Sequence, residues 1–230
     1  MNNSELSPMI MQQLAKLEER HIDLDAQGNK IIAIDVDGVL LDYSLAYRHA
    51  WAQAFGDLPD ERDPNAYWPL DRWAVHRLEG ERKRQFRSKF DETFWSTIPP
   101  LPGALEACTR LNHAGYTLVF VTAMKPGFEK ARLKNIQNLG ITFSDLIVTS
   151  MSEEIGNPKA NILNKLKPLA FVDDYAPYLR GLEPGIHKAL IHRHPNGSPN
   201  VGEDLALADS SHKDLDDFAR WWEECEGARK

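Results

Sequence analysis

Two acidic residues, separated by a single position, follow the first apolar run of the chain. Asp35 and Asp37 come directly after residues 31–34, which are Ile-Ile-Ala-Ile, and Gly38 follows them. An apolar, largely β-branched run predicts a strand buried on both faces of a parallel sheet, which places both acids at its carboxyl end. In open α/β sheets, ligands bind outside that edge. Two carboxylates so close together repel each other, and a divalent cation with oxygen ligands is the natural group to lie between them.

Further polar residues follow the later predicted strands. Thr122 ends the second strand, Asp173 and Asp174 follow another, and Lys159 begins a helix after a Gly-Asn-Pro turn. If the strands are parallel, all these groups converge at one edge of the sheet.

This set of residues indicates phosphoryl-transfer chemistry. The carboxylates would hold a divalent metal, while Thr122, Lys159 and backbone N–H groups, including that of Ala123, would hold a phosphate. A carboxylate nucleophile splits ester hydrolysis into two steps through an aspartyl-phosphate. Asp35 is the predicted nucleophile because it ends the rigid strand. Asp37 can approach the leaving oxygen, protonate it and then activate water.

The elements that must position these residues alternate between strands and helices. Predicted strands cover residues 116–121, 146–149, 170–172 and 188–192, with helices between them. Such alternation predicts an α/β fold with a parallel sheet covered on both faces, in three layers.

A helical segment interrupts this alternation, and the sequence predicts an insertion at 43–96 between two parts of one core, 1–42 and 97–230. Within the insertion, one helix is predicted to end at Gly56. A Pro-rich loop follows, a second helix is predicted with Asp71 as its N-cap, and a third covers 81–95. A further helix is predicted for residues 4–20.

Composition excludes several classes of protein. The chain has 230 residues, a formal net charge of −7, 42% hydrophobic and 27% charged residues, which is ordinary for a soluble globular protein. The acidic balance argues against nucleic acid as a partner. No apolar run is long enough to span a membrane, and the first 20 residues lack the apolar stretch of a signal peptide. Cys108 and Cys225 suit a reducing compartment, so a cytoplasmic location is expected.

The four motifs resemble, in order, those of the haloacid dehalogenase superfamily: residues 35–39 (Asp-Val-Asp-Gly-Val), Thr122, Lys159 and the pair Asp173-Asp174. The resemblance covers about residues 31–190. It implies a Rossmann-like core and a helical cap of the C1 class. It also implies a Mg²⁺ ion bound by Asp35, the backbone carbonyl of Asp37 and an acid of the last motif. By analogy Asp174 is the direct ligand and Asp173 a partner of Lys159 or an outer ligand, and this division stays open.

Two details narrow the resemblance. Dehalogenases of the superfamily lack an acid at the position of Asp37, whereas its phosphatases and phosphomutases have one. The stretch from Phe94-Trp95 to 99–107 is similar to the return from cap to core in the 5′(3′)-deoxyribonucleotidases, and Tyr67-Trp68 fits their base-stacking region. Those enzymes follow the threonine motif with Ser and Pro, whereas Ala123-Met124-Lys125 stand here.

The sequence therefore predicts a Mg²⁺-dependent phosphomonoester hydrolase acting on a small phosphorylated metabolite. The more specific prediction for this substrate is a nucleoside monophosphate. The expected assembly is a monomer or homodimer. Two alternatives stay open: a phosphomutase of the same fold and a non-enzymatic phosphate-binding module. The substrate-contacting residues proposed in the insertion are Tyr67 and Trp68.

Overall fold

The computed structural model describes residues 30–149, 156–192 and 194–228. The predicted helix at 4–20 lies outside these residues. Within them the chain forms a six-stranded sheet in which every pairing is parallel. The strands are β1 Ile31–Ile34, β2 Thr117–Ala123, β3 Asp145–Thr149, β4 Ala170–Asp173, β5 His187–Ile191 and β6 Ser210–His212. The prediction of an α/β fold with a parallel sheet is confirmed.

The strand order, β3-β2-β1-β4-β5-β6, is that of a doubly wound Rossmann-type sheet. The chain winds outward from β1 through β2 to β3, then returns to the other side of β1 with β4. The point of reversal therefore lies between β1 and β4, where Ile34 pairs with Val172. Ligands of such sheets bind in the crevice outside the carboxyl ends of the strands at this point. Asp35 and Asp173 lie there.

Helices cover both faces of the sheet. In chain order they are α1 Tyr43–Phe55, α2 Pro69–Arg72, α3 Gly80–Arg87, α4 Glu92–Ser96, α5 Ala104–His113, α6 Glu129–Asn138, α7 Ala160–Leu166, a 3-10 helix Ala176–Leu179, α8 Gly202–Leu205 and α9 Leu215–Ala228.

Successive residues of the central strands face opposite layers, as the two-residue period of a strand requires. Ile31 and Ala33 pack into a cluster with α7 and the 3-10 helix, whereas Ile32 and Ile34 pack into a second cluster with α5 and α9. All four side chains are fully buried. This double burial explains why β1 is a continuous apolar run and makes it a rigid support for the residues that follow it.

The segment predicted to be an insertion contains helices, but their limits differ from those predicted. The prediction of Asp71 as an N-cap is wrong, because Asp71 lies inside the four-residue helix α2 and residues 73–79 are not helical. Backbone groups here bond to the preceding loop instead, with Arg62 N–H donating to Arg72 O and Ala74 N–H donating to Asp60 O. The apolar spacing that suggested a helix instead reflects burial of Trp73 and Val75 in an extended segment.

The predicted helix at 81–95 is also two helices. It divides into α3 and α4, and the Asp91 carboxylate accepts a hydrogen bond of 3.0 Å from Phe94 N–H at the start of α4. An N-cap of this kind satisfies a donor that would otherwise lack a partner, so a new helix begins there. The division of the chain into a core and a cap at 43–96 stays a prediction.

The segments that lead into and out of the insertion run side by side. Asp42 N–H donates to Pro99 O at 2.8 Å and Leu101 N–H donates to Leu40 O at 2.9 Å. The strand β6 and the short helix α8 were not predicted, since three and four residues give little periodicity to detect. No helix among the described residues has the length and apolar character needed to cross a membrane.

Candidate active site

A buried ammonium group joins two carboxylates at the carboxyl edge of the sheet. Lys159 Nζ donates to Asp35 Oδ1 at 2.5 Å and to Asp173 Oδ2 at 2.7 Å. Lys159 and Asp173 are fully buried and Asp35 is 5% exposed. Removal of such charges from water is costly unless they are paired and hydrogen-bonded, and here each is. The three residues come from strands β1 and β4 and from the start of α7, so the topology brings them together.

The local sequence places Lys159 at this point. Its backbone N–H donates to Asn157 Oδ1 at 2.9 Å, which forms the turn ahead of α7. The ammonium lies over the rings of Tyr178 and Phe171, 4.8 Å and 5.4 Å from their centroids. Burial by itself would lower the pKa of Lys159, but Asp173 and Asp35 raise it overall. Lys159 is therefore a permanent cation at neutral pH.

Both oxygens of Asp173 are held by the protein. Oδ2 accepts from Lys159, and Oδ1 accepts a hydrogen bond of 2.9 Å from Tyr175 N–H. Burial raises the pKa of Asp173 to about 7, although Lys159 acts in the opposite direction. Each oxygen of this carboxylate is thus already in one hydrogen bond to the protein.

Asp174 completes a group of three carboxylates. One oxygen from each of Asp35, Asp173 and Asp174 lies within 4.8 Å of the others. The backbone carbonyl of Asp174 accepts a hydrogen bond of 2.8 Å from Asn200 Nδ2, and Asn200 is itself buried. Gly38 lies directly against this carboxylate: a Cβ added there would lie 2.8 Å or less from its carbon and both oxygens.

Asp37 makes an ion pair that the sequence did not predict. Arg132 Nη2 donates to both Asp37 oxygens, at 2.8 Å and 2.7 Å. The Arg132 side chain is fully buried, while that of Asp37 is 23% exposed. Burial raises the pKa of Asp37, the charge of Arg132 opposes this, and the charge of Asp35 adds to it. The charges of Asp35 and Arg132 therefore act on the Asp37 carboxyl group in opposite directions.

Thr122 lies one strand away, within β2 rather than after it, and pairs with Val148 of β3. Its hydroxyl is buried and has no hydrogen-bond partner among the described residues. A buried hydroxyl without a partner is costly, and such a group requires an explanation. A ligand that accepts a hydrogen bond would provide the missing partner. Ala123 follows as the last residue of β2.

The negative charges of the carboxylate group act on the side chain of Tyr67. Burial raises the pKa of Tyr67, and the negative charges of Asp174, Asp173 and Asp35 raise it further. The Tyr67 ring meets that of Trp68 edge-on, with 4.8 Å between centroids. Trp68 is 45% exposed, so a large apolar surface stays open to solvent next to Tyr67.

The loop after β5 holds the segment that contains Tyr67. Asn196 N–H donates to Asn65 O and Tyr67 N–H donates to Asn196 O, both at 3.0 Å. Asn196 Nδ2 also donates to Asp63 Oδ2 at 2.9 Å. This loop continues to Asn200, so a single connection supports both the Tyr67 segment and Asp174. Sequence reasoning missed it, because isolated Asn residues in a turn-rich loop are common.

The charges of the site are unbalanced in a way that fits a divalent cation. Asp35, Asp173 and Asp174 bring three carboxylates and Lys159 brings one positive charge, so the group is net negative. Asp37 and Arg132 balance each other. An oxygen-rich donor set with a net negative charge is suited to Mg²⁺.

A family model for haloacid dehalogenase-like hydrolases matches residues 29–167 of the chain. This stretch contains Asp35, Asp37, Thr122, Arg132 and Lys159. No curated protein matches the chain at a significant level.

Solved structures share the fold at low sequence identity. YfnB from Bacillus subtilis, assigned as a HAD-hydrolase and bound to magnesium, has a TM-score of 0.55 and 17% identity, with 84% of this chain and 97% of that chain covered. A predicted phosphoglycolate phosphatase from Haemophilus somnus has a TM-score of 0.51 and 19% identity over the same shares. A protein from Thermotoga maritima assigned as a β-phosphoglucomutase has a TM-score of 0.50 and 16% identity, with 85% and 99% covered.

Proposed function

The chain belongs to the haloacid dehalogenase-like hydrolases, and from this premise we propose that it is a Mg²⁺-dependent phosphomonoesterase that acts through a phosphorylated Asp35. The observation that carries the proposal is the carboxylate group at the crevice, with Asp35 at the end of a rigid strand and in contact with Lys159. The acid at position 37 favours a phosphatase over a dehalogenase. We also propose that residues 43–96 form a cap of the C1 class and that the protein is related in function to the 5′(3′)-deoxyribonucleotidases.

The metal would be held by Asp35, the backbone carbonyl of Asp37 and Asp174. Asp173 has its two oxygens engaged by Lys159 and Tyr175, which supports an outer role for it. When bound, Mg²⁺ supplies positive charge that offsets the negative charge of a phosphate in the transition state.

The residues of the chain then perform two displacements. An Asp35 oxygen forms a bond to phosphorus while the bond to the leaving oxygen breaks, and Asp37 gives that oxygen a proton. In the second step Asp37 takes a proton from water, the water oxygen attacks phosphorus, and the bond to Asp35 breaks. Lys159 and the Thr122 hydroxyl neutralise and orient the phosphate oxygens throughout, with the backbone at Ala123 as a further donor.

Gly38→Ala tests the placement of Asp174. A Cβ at Gly38 would overlap the Asp174 carboxylate, and the φ angle of +94° disfavours any side chain. We expect the Mg²⁺ concentration that gives half-maximal phosphatase activity to rise by about 10–100-fold. The measurement is a Mg²⁺ titration of the initial rate at saturating phosphate ester.

Gly56→Ala is the matched control for this variant. Gly56 also has a positive φ, +88°, but no atom lies within 4 Å of its added Cβ. It therefore carries the backbone strain without the overlap, and its Mg²⁺ dependence should equal that of the wild type. If both variants needed the same Mg²⁺ concentration, Asp174 would not be a ligand placed by Gly38.

The substrate is proposed to be a small phosphate ester. Tyr67 lies within electrostatic reach of the carboxylates and Trp68 presents an exposed ring beside it, a pairing suited to a flat group such as a nucleobase. A nucleoside monophosphate is therefore the sharper proposal. The acidic balance of the chain points to a small molecule rather than nucleic acid.

A panel of phosphate esters tests the function. We expect the purified protein with Mg²⁺ to release inorganic phosphate steadily from at least one ester, with nucleoside and deoxynucleoside monophosphates ahead of sugar phosphates, and chelation with EDTA to stop the release. Conversion of substrate to an isomer without free phosphate would indicate a phosphomutase instead. Absence of turnover across the panel would favour a phosphate-binding module.

A further inference from the structure

Arg132 is the largest fully buried side chain of the described residues, and its partner is Asp37. The contact uses a single nitrogen: Nη2 donates to both carboxylate oxygens, at 2.8 Å and 2.7 Å. Guanidinium–carboxylate pairs commonly use two nitrogens in a fork. Here Nε and Nη1 have no hydrogen-bond partner within the described part of the chain. Such an arrangement forgoes hydrogen bonds and must be held by its surroundings.

The surroundings fix the guanidinium on two sides. Arg132 belongs to α6, and its Cζ lies 5.0 Å from the centroid of the Trp95 ring. Asn135, one turn further along α6, donates through Nδ2 to Ile98 O at 3.0 Å and ties the helix to the segment after Trp95. The Arg132 side chain thus extends from α6 and packs against the Trp95 ring. These contacts hold Nη2 in a fixed position relative to Asp37.

We propose that Arg132 is a positioning residue that orients the Asp37 carboxyl group for proton transfer to the leaving oxygen. This inference rests on the proposed phosphatase function. Each carboxylate oxygen has two sites that can accept a hydrogen, and Nη2 occupies one on each oxygen. The other two remain for exchange of a proton with the leaving group or with water. The Asp37 side chain is 23% exposed, whereas that of Arg132 is fully buried.

The positive charge of Arg132 also helps to hold the Asp37 carboxyl group in position. The charge of Asp35 acts directly on Asp37, and a bound phosphate would add further negative charge. Without a cation next to it, the Asp37 carboxylate would be repelled by the Asp35 carboxylate and by the bound phosphate. The buried guanidinium keeps it in place, and its rigid, permanently charged head does this better than a mobile lysine.

Leaving groups of different basicity test this role. p-Nitrophenolate departs without a proton, whereas the alkoxide of 2-glycerol phosphate needs one from Asp37. Because Asp37 also activates water in the second step, which both esters share, the quantity to compare is kcat/KM, which reports transfer of phosphate to Asp35. For Arg132→Met we expect kcat/KM to fall about 100-fold with 2-glycerol phosphate, which is the usual scale of general acid catalysis, and less than about 10-fold with p-nitrophenyl phosphate. Lys134→Met, an exposed residue on the same helix, is the control and should match the wild type with both esters.

A double variant separates positioning from mere packing. In an Asp37→Asn background, Arg132→Met should cause no further loss with 2-glycerol phosphate, because both changes remove the same proton transfer. Equal losses of kcat/KM with the two esters, or losses that multiply in the double variant, would overturn the inference. If Arg132→Met does not fold, Arg132→Lys decides by the same comparison of esters. If the wild type hydrolyses neither ester nor any other of the panel, it is the phosphatase proposal that fails.

Discussion

Asp35→Asn should lower the rate of phosphate-ester hydrolysis by at least about 10³-fold, because an amide cannot serve as the nucleophile. The fold should persist. Asn has nearly the same shape, its carbonyl oxygen can still accept from Lys159, and the backbone hydrogen bond from residue 35 to Val172 O is unaffected. Steady-state release of phosphate measures the rate, and circular dichroism with a thermal melt measures the fold.

Asp42→Asn provides the matched control. Asp42 is a nearby acid whose carboxylate caps α1 by accepting from Leu45 N–H at 2.9 Å, and Asn preserves an N-cap of that kind. This variant should keep wild-type turnover. An acid quench with a radiolabelled phosphate ester should trap label on the wild type and none on Asp35→Asn. Hydrolysis by Asp35→Asn at a rate close to that of the wild type would refute the nucleophile assignment.

The placement of the acids could be predicted because it depends on a strong local signal. Buried parallel strands are continuous apolar runs, and the polar residues that end them fall at one edge whatever the detailed packing. Asp35 and Asp173 needed only that rule, whereas Lys159 begins a helix, and the structure joins the three by hydrogen bonds. The resemblance to the superfamily is likewise confirmed by the match over residues 29–167. The roles assigned to these residues remain predictions.

The insertion could not be predicted at the same level, since its short segments are decided by tertiary contacts. Trp73 is buried with its indole N–H donating to Ser44 O at 2.8 Å, a contact 29 positions away in sequence. Such a contact overrides the weak helical period of the segment around it. The end of the preceding helix at Gly56 was predicted correctly, because a glycine with positive φ at a C-cap is a local signal.

Arg132 shows the same limit within the core. Its partner Asp37 lies 95 positions away, and no local sequence pattern around Arg132 predicts this contact. A weaker signal was present: Arg132 and Asn135 lie on the face of α6 that also buries Ala131 and Ile136. Polar residues on the buried face of a helix need partners, so they are candidates for a site even when the partner is unknown.

Lys159→Met should be the most destabilising single change at the site. It leaves Asp35 and Asp173 buried side by side without their shared cation, and removal of one partner from a buried ion pair typically costs about 3–5 kcal/mol. Chemical denaturation in the presence of EDTA should show this loss in the free energy of unfolding. Lys165→Met, on an exposed position of the same helix, should change it by less than about 0.5 kcal/mol.

Mg²⁺ distinguishes a structural lysine from one that shares the metal site. If the cation binds Asp35 and Asp174 as proposed, it supplies part of the positive charge that Lys159→Met removes, so saturating Mg²⁺ should restore part of the lost stability by binding the folded state. Turnover should nevertheless stay about 10²–10³-fold below wild type, because the donor that orients Asp35 and the phosphate is absent. If Mg²⁺ stabilises neither the wild type nor Lys159→Met, the metal does not bind next to Lys159. The carboxylate group would then be a structural ion-pair network.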